Sequence, residues 1–109
     1  MKLTVIVLLT SFAAICSCNK ENAIPGCVQA KIEAFKNSSC EHGASVKEYK
    51  FQGETVYTFN MGWCGADLPT GIINHECKAI GSLGGYTGNT NVNGVDFSTA
   101  VYIRTIWSR

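Results

Sequence analysis

The sequence predicts an α+β domain, one N-terminal helix packed on a small antiparallel sheet of three to four strands and closed by two disulfides. Three observations predict it. An apolar stripe at Val28, Ile32 and Phe35 repeats with helical spacing. Apolar and polar residues alternate on both sides of Gln52-Gly53, the pattern of an antiparallel hairpin. Cys27, Cys40, Cys64 and Cys77 form an even set within a short chain.

The first element is not part of the domain. Residues 1–17 open on Met1-Lys2, continue as an almost unbroken apolar run from Leu3 to Ile15, and end on small residues. That run is shorter than the ~20 apolar residues needed to span a bilayer and has the charged start of an export signal. Ile15-Cys16-Ser17-Cys18 is similar to the lipobox of bacterial lipoproteins, which places the acylated cysteine at Cys18. Cys16 fits less well, because bulky Ile15 would stand where a small residue is wanted, and ordinary secretory cleavage nearby stays open. Acyl chains such as palmitate on Cys18 would anchor the chain to a membrane, each buried CH₂ contributing about 0.8 kcal/mol. Residues 18–25 then read as a tether and residues 26–109 as the compact domain. The address that follows is the cell envelope, as an outer-membrane lipoprotein facing either the periplasm or the surface.

Composition removes some functions. From Cys18 onward eight Lys and Arg balance eight Asp and Glu, the ninth cation of the full count being Lys2. No basic face stands out, so nucleic acid is not an expected partner.

Pro25-Gly26 starts the helix, Ala30 and Ala34 flank its stripe, and Asn37-Ser38-Ser39 ends it, since such side chains compete for backbone hydrogen bonds. With Gln52-Gly53 as the turn, Phe51 pairs with Glu54, Tyr49 with Val56 and Lys47 with Thr58, and Cys40 arrives beside Cys64 and Gly65. Residues 71–81 read as a third strand with a possible bend at Asn74-His75. The Gly81–Gly94 stretch holds five glycines and three asparagines and reads as a surface loop. Asp96 caps a single helical turn. Val101–Trp107 reads as a closing strand with Val101, Ile103, Thr105 and Trp107 on one face, with a helix as the alternative.

The same geometry prunes the disulfides. A helix from Val28 to about Ser38 rises roughly 16 Å, and two further residues return only about 7 Å, which keeps Cys27 and Cys40 beyond bridging distance. The hairpin register favours Cys40 with Cys64, leaving Cys27 with Cys77.

Candidate chemistry is sparse. Cys40-Glu41-His42 and His75-Glu76-Cys77 could present sulfur and nitrogen to zinc, but the spacing is unlike that of structural zinc sites and an exported chain favours disulfides. No metal or other cofactor is expected. His42, His75, Glu76 and Asp67 could form an acid–base site, yet no nucleophile elbow, metalloprotease, P-loop or dinucleotide motif accompanies them, and the reading leans away from an enzyme. Trp63 and the segment Gly84-Gly85-Tyr86-Thr87-Gly88 lie in glycine-flanked loop sequence and are the candidate ligand-binding residues, for a protein or glycan partner.

Ile24-Pro25-Gly26-Cys27, the helix after it, Val46–Tyr49, Gly53–Tyr57, Gly84-Gly85-Tyr86-Thr87-Gly88, Asp96-Phe97 and the terminal Ile106-Trp107 together resemble a family of small bacterial lipoproteins whose domain has no assigned function. The resemblance covers about residues 24–109 and implies a compact envelope domain with no catalytic residue. A helix followed by hairpins is also similar in topology to cystatins, although their Gln-x-Val-x-Gly motif is missing at Gln52-Gly53. The expected function is a membrane-anchored, non-enzymatic binding or envelope-maintenance module. A cystatin-like protease inhibitor and a small hydrolase are the alternatives.

Overall fold

The computed structural model describes residues 23–109. The signal peptide, Cys18 and most of the tether lie outside the described residues. The helix α1 spans Gly26–Ser38, and its buried residues are Val28, Ile32 and Phe35, the expected stripe. Pro25 fixes the entry. Gln29 N–H donates to the Pro25 carbonyl at 3.0 Å, and the Gln29 side-chain amide donates to the Ile24 carbonyl at 2.9 Å. At the far end the Arg109 guanidinium donates to the Lys36 carbonyl at 3.0 Å, placing a cation where the helix dipole is negative.

The hairpin is β1 (Ser45–Phe51) and β2 (Glu54–Asn60) in the expected register, Phe51 opposite Glu54 and Lys47 opposite Thr58. Gln52 and Gly53 both take positive φ, 51° and 78°, as a twist-matched two-residue turn requires.

The sheet is larger than expected. The stretch read as one strand bent at Asn74-His75 is two strands, β3 (Pro69–Asn74) and β4 (Ala79–Gly84). The turn between them is built without glycine. Asn74 Oδ1 accepts from the Glu76 and Lys78 N–H groups at 2.9 Å each, and Cys77 takes a φ of 66°. Two short strands, β5 (Asn91–Val92) and β6 (Val95–Asp96), pair only with each other, and Phe97–Thr99 forms one 3₁₀ turn. The closing segment is strand β7 (Val101–Ser108), not helix. The main sheet has five antiparallel strands in the order β4-β3-β2-β1-β7.

Two further expectations are corrected. Gly81–Gly94 is not simply a surface loop, because β4 runs through its start and Val92, 1% exposed, sits in a core. Nor do Val101, Ile103, Thr105 and Trp107 share a face. Bulges skip Ile103 and Ile106 in the β1–β7 pairing, so Trp107 lies opposite Val46, Thr105 opposite Lys47 and Tyr102 opposite Tyr49.

The sheet separates two cores. Beneath α1, Val28, Ile32 and Phe35 pack with Ala44, Val46, Tyr57 and Ile73, and full burial of each large side chain stabilises by about 1.5–3 kcal/mol. On the opposite face Phe51, Val56, Ile72 and Val92 form a second core with Tyr49, Leu83 and Phe97 at its margin. The disulfides join Cys27 to Cys77 and Cys40 to Cys64, with Cα atoms 6.2 and 5.5 Å apart. The first ties the start of α1 to the β3–β4 turn, and the second closes the open end of the hairpin.

Candidate functional site

The face of the sheet away from α1 changes character along the hairpin. Near the Gln52-Gly53 turn its side chains are apolar, Tyr49 and Phe51 on β1 and Val56 on β2. Toward the open end they are Ser45, Lys47, Thr58 and Asn60, with Thr70 on β3. Residues 85–100 leave β4, cross this face and return as β7. This arm covers the apolar half because only there does burial of Val92 and Phe97 displace water from apolar surface. The polar half stays open, and between it and the arm lies a groove of about 620 Å³.

The groove walls are held by side-chain to backbone bonds. On one wall the Asn89 amide donates to the Ser82 carbonyl at 2.6 Å and the Asn91 carbonyl at 2.8 Å, and the Gly84 N–H donates to the Asn89 carbonyl at 2.7 Å. On the other, Asp96 Oδ1 accepts from the Ser98 N–H at 2.8 Å, as the capping expectation requires. That backbone bond, joined by one from the Ser98 side chain, holds the Asp96 carboxyl below the usual range. The two walls are tied by the Phe97 N–H, which donates to the Thr90 carbonyl at 2.9 Å. Tyr49 closes one end, edge-on to Phe97 at 5.2 Å and to Tyr102 at 5.7 Å. Burial, with the neighbouring Tyr102 phenol adding to it, pushes the Tyr49 hydroxyl's pKa up.

The lining carries two charged side chains, Lys47 on the floor and Asp96 on the wall. Ser45 and Thr58 are 8% and 5% exposed.

The expected binding residues divide. Gly84 and Gly88 line the groove. Gly85 packs toward Pro69, and Tyr86 and Thr87 stand outside the lining on an exposed turn closed by the Gly88 N–H donating to the Gly85 carbonyl at 3.2 Å. Tyr86 is fully exposed, and Trp63 is 83% exposed beside the His42–Gly43 loop. The floor residues Ser45, Lys47, Thr58 and Thr70 are not among those picked out from the sequence. Their signal is present there, as the polar members of a hairpin face whose other half is aromatic and aliphatic.

The candidate acid–base group is not assembled. His42 lies at the open end of the hairpin, where its carbonyl accepts from the Trp63 N–H at 2.9 Å. His75 lies at the other end, in the β3–β4 turn, with Nδ1 3.2 Å from the Tyr57 hydroxyl. Among the described residues no group of three or more His, Cys, Asp or Glu side chains is placed to hold a metal ion, and Cys40 and Cys77 are committed to disulfides. Among the described residues no helix is long and apolar enough to cross a membrane.

A family model described as a domain of unknown function, DUF6970, matches residues 32–109. No curated protein and no solved structure matches the chain.

Proposed function

We propose, for a chain that belongs to the DUF6970 family of domains of unknown function, that it is a non-enzymatic binding module held at the cell envelope by a lipid on Cys18. Its binding surface is the polar groove beside the arm. The observation that carries this reading is the groove itself, about 620 Å³ in volume, within the roughly 300–1,000 Å³ common for ligand sites. General acid–base chemistry needs titratable groups in complementary states, and the lining offers one carboxylate, one ammonium, the Tyr49 phenol with its pKa pushed up by burial, and no histidine. Hydroxyls and amides in a concave site suit recognition instead.

The anchor rests on the sequence, on the export signal and the lipobox-like Ile15–Cys18. Two disulfides support an oxidising compartment, and the outer membrane is the membrane proposed.

Envelope fractionation tests the anchor. Cys18→Ser is expected to move the chain into the soluble fraction and to abolish incorporation of labelled palmitate; a variant that stays labelled and membrane-bound removes the lipid from the reading. The groove is tested with the full chain, solubilised in mild detergent and immobilised. It should retain a protein or glycan from envelope extract, and Thr58→Arg, which fills the floor, should release it. Equal retention by both chains, or none by either, leaves the groove without a binding role.

A further inference from the structure

The floor of the groove holds a cation that no anion of the domain neutralises. Among the described residues Lys36 pairs with Glu33 and Arg104 with Glu48, whereas Lys47 makes no ion pair, not even with Asp96 across the groove. Lys47 lies in a row across three strands, with Thr58 of β2 on one side and Thr105 of β7 on the other. Ser45, two residues back, points to the same face. Thr105 is already bonded to the Tyr102 hydroxyl at 2.7 Å. The Ser45 and Thr58 hydroxyls have no hydrogen-bond partner among the described residues, although both residues are more than nine-tenths buried. Among the described residues every side-chain polar atom sealed from solvent has a partner, so these two hydroxyls open into the groove.

A hydroxyl donates one hydrogen bond and an ammonium three. An unneutralised ammonium beside two such hydroxyls, in a concave site, suits an anionic oxygen group, because bonds between charged partners are stronger than those a neutral ligand makes. A neutral ligand would satisfy the hydroxyls and leave the charge unmatched. Asp96 on the opposite wall fixes the polarity, since it repels an anion and accepts hydrogen bonds from hydroxyls.

Resting on the groove as the binding surface, we infer that its ligand is acidic: a carboxylate or phosphate seats on Lys47 between the Ser45 and Thr58 hydroxyls, and ligand hydroxyls reach toward Asp96. The two anion sources are distinguished with three probes that share one ring, glucuronate, glucose 6-phosphate and glucose, titrated into the ¹⁵N-labelled full chain in mild detergent at low salt. At least one acid is expected to bind about tenfold or more tightly than glucose, shifting the amides of Ser45, Lys47, Thr58 and Ser98. Which acid does so identifies the anion. Lys47→Met should erase the advantage, bringing both acids to the affinity of glucose in the same variant, and Lys47→Arg should keep most of it. Glucose binding as well as both acids, or an acid advantage that survives in Lys47→Met, overturns the acidic ligand and leaves the binding-module reading standing. No shift at the floor with any probe also overturns it, while that reading is decided separately by the Thr58→Arg retention assay.

Discussion

Gly62 is the position where one added methyl group meets the most resistance. Its φ is +80°, and a Cβ there would run into the His42 carbonyl, with the Ala44 nitrogen 2.6 Å and the Gly43 carbonyl carbon 2.9 Å away. All three are backbone atoms, and the segment cannot shift freely. The Cys40 N–H donates to the Met61 carbonyl at 2.9 Å, and Cys40 is bridged to Cys64. Gly53 makes the useful contrast, with nearly the same φ of +78° and nothing within 4 Å of its added Cβ. A left-handed residue with a side chain costs roughly 1–2 kcal/mol, so Gly53→Ala should lose that much. Gly62→Ala should lose about 3 kcal/mol or more, because the collision adds to it. Urea unfolding of both variants measures the difference, and equal midpoints would mean that the loop yields.

At the scale of elements the two disulfides do unequal work. Cys27–Cys77 closes a separation of 50 residues and Cys40–Cys64 one of 24, for which chain entropy alone gives about 4 and about 3.5 kcal/mol. Each bridge also has one cysteine in contact with the interior, Cys77 at the core under α1 and Cys40 at 3% exposure, so the loop lengths set the order. The double variant Cys27→Ala/Cys77→Ala should therefore melt below Cys40→Ala/Cys64→Ala in calorimetry; the reverse order would place the weaker constraint at the helix. The pairing is legible in the sequence because the hairpin register is local, set by alternation and a two-residue turn. Other elements hide for equally physical reasons. The β3–β4 turn lacks glycine and depends on the Asn74 side chain and a left-handed Cys77. Val92-Asn93-Gly94-Val95 is a strong hairpin signal, with φ of 51° and 77° at its two central residues, but it is masked by the glycines before it. The faces of β7 follow from bulges that no alternation encodes. The groove floor escapes a search for motifs because it is defined by what fails to be covered.

For the whole molecule, the consequence of two cores is that the groove can loosen without the helix. The first core lies under α1, and the second holds the arm that forms the groove walls. The arm's main anchor is Val92, 1% exposed and set against Gly81, whose added Cβ would lie 3.2 Å from a Val92 methyl. Gly81 leaves the space that Val92 fills. Val92→Ala removes two methyl groups from this seat and should cost about 2 kcal/mol. Because α1 packs in the other core, the loss should appear as local opening of residues 85–100, with amide exchange there roughly 30-fold faster while the α1 amides stay protected. Ligand retention by the groove should weaken in parallel, since Asn89, Thr90 and Asp96 move with the arm. Equal acceleration of exchange in α1 would show that the two cores open as one cooperative unit, and the groove would then be as rigid as the fold itself.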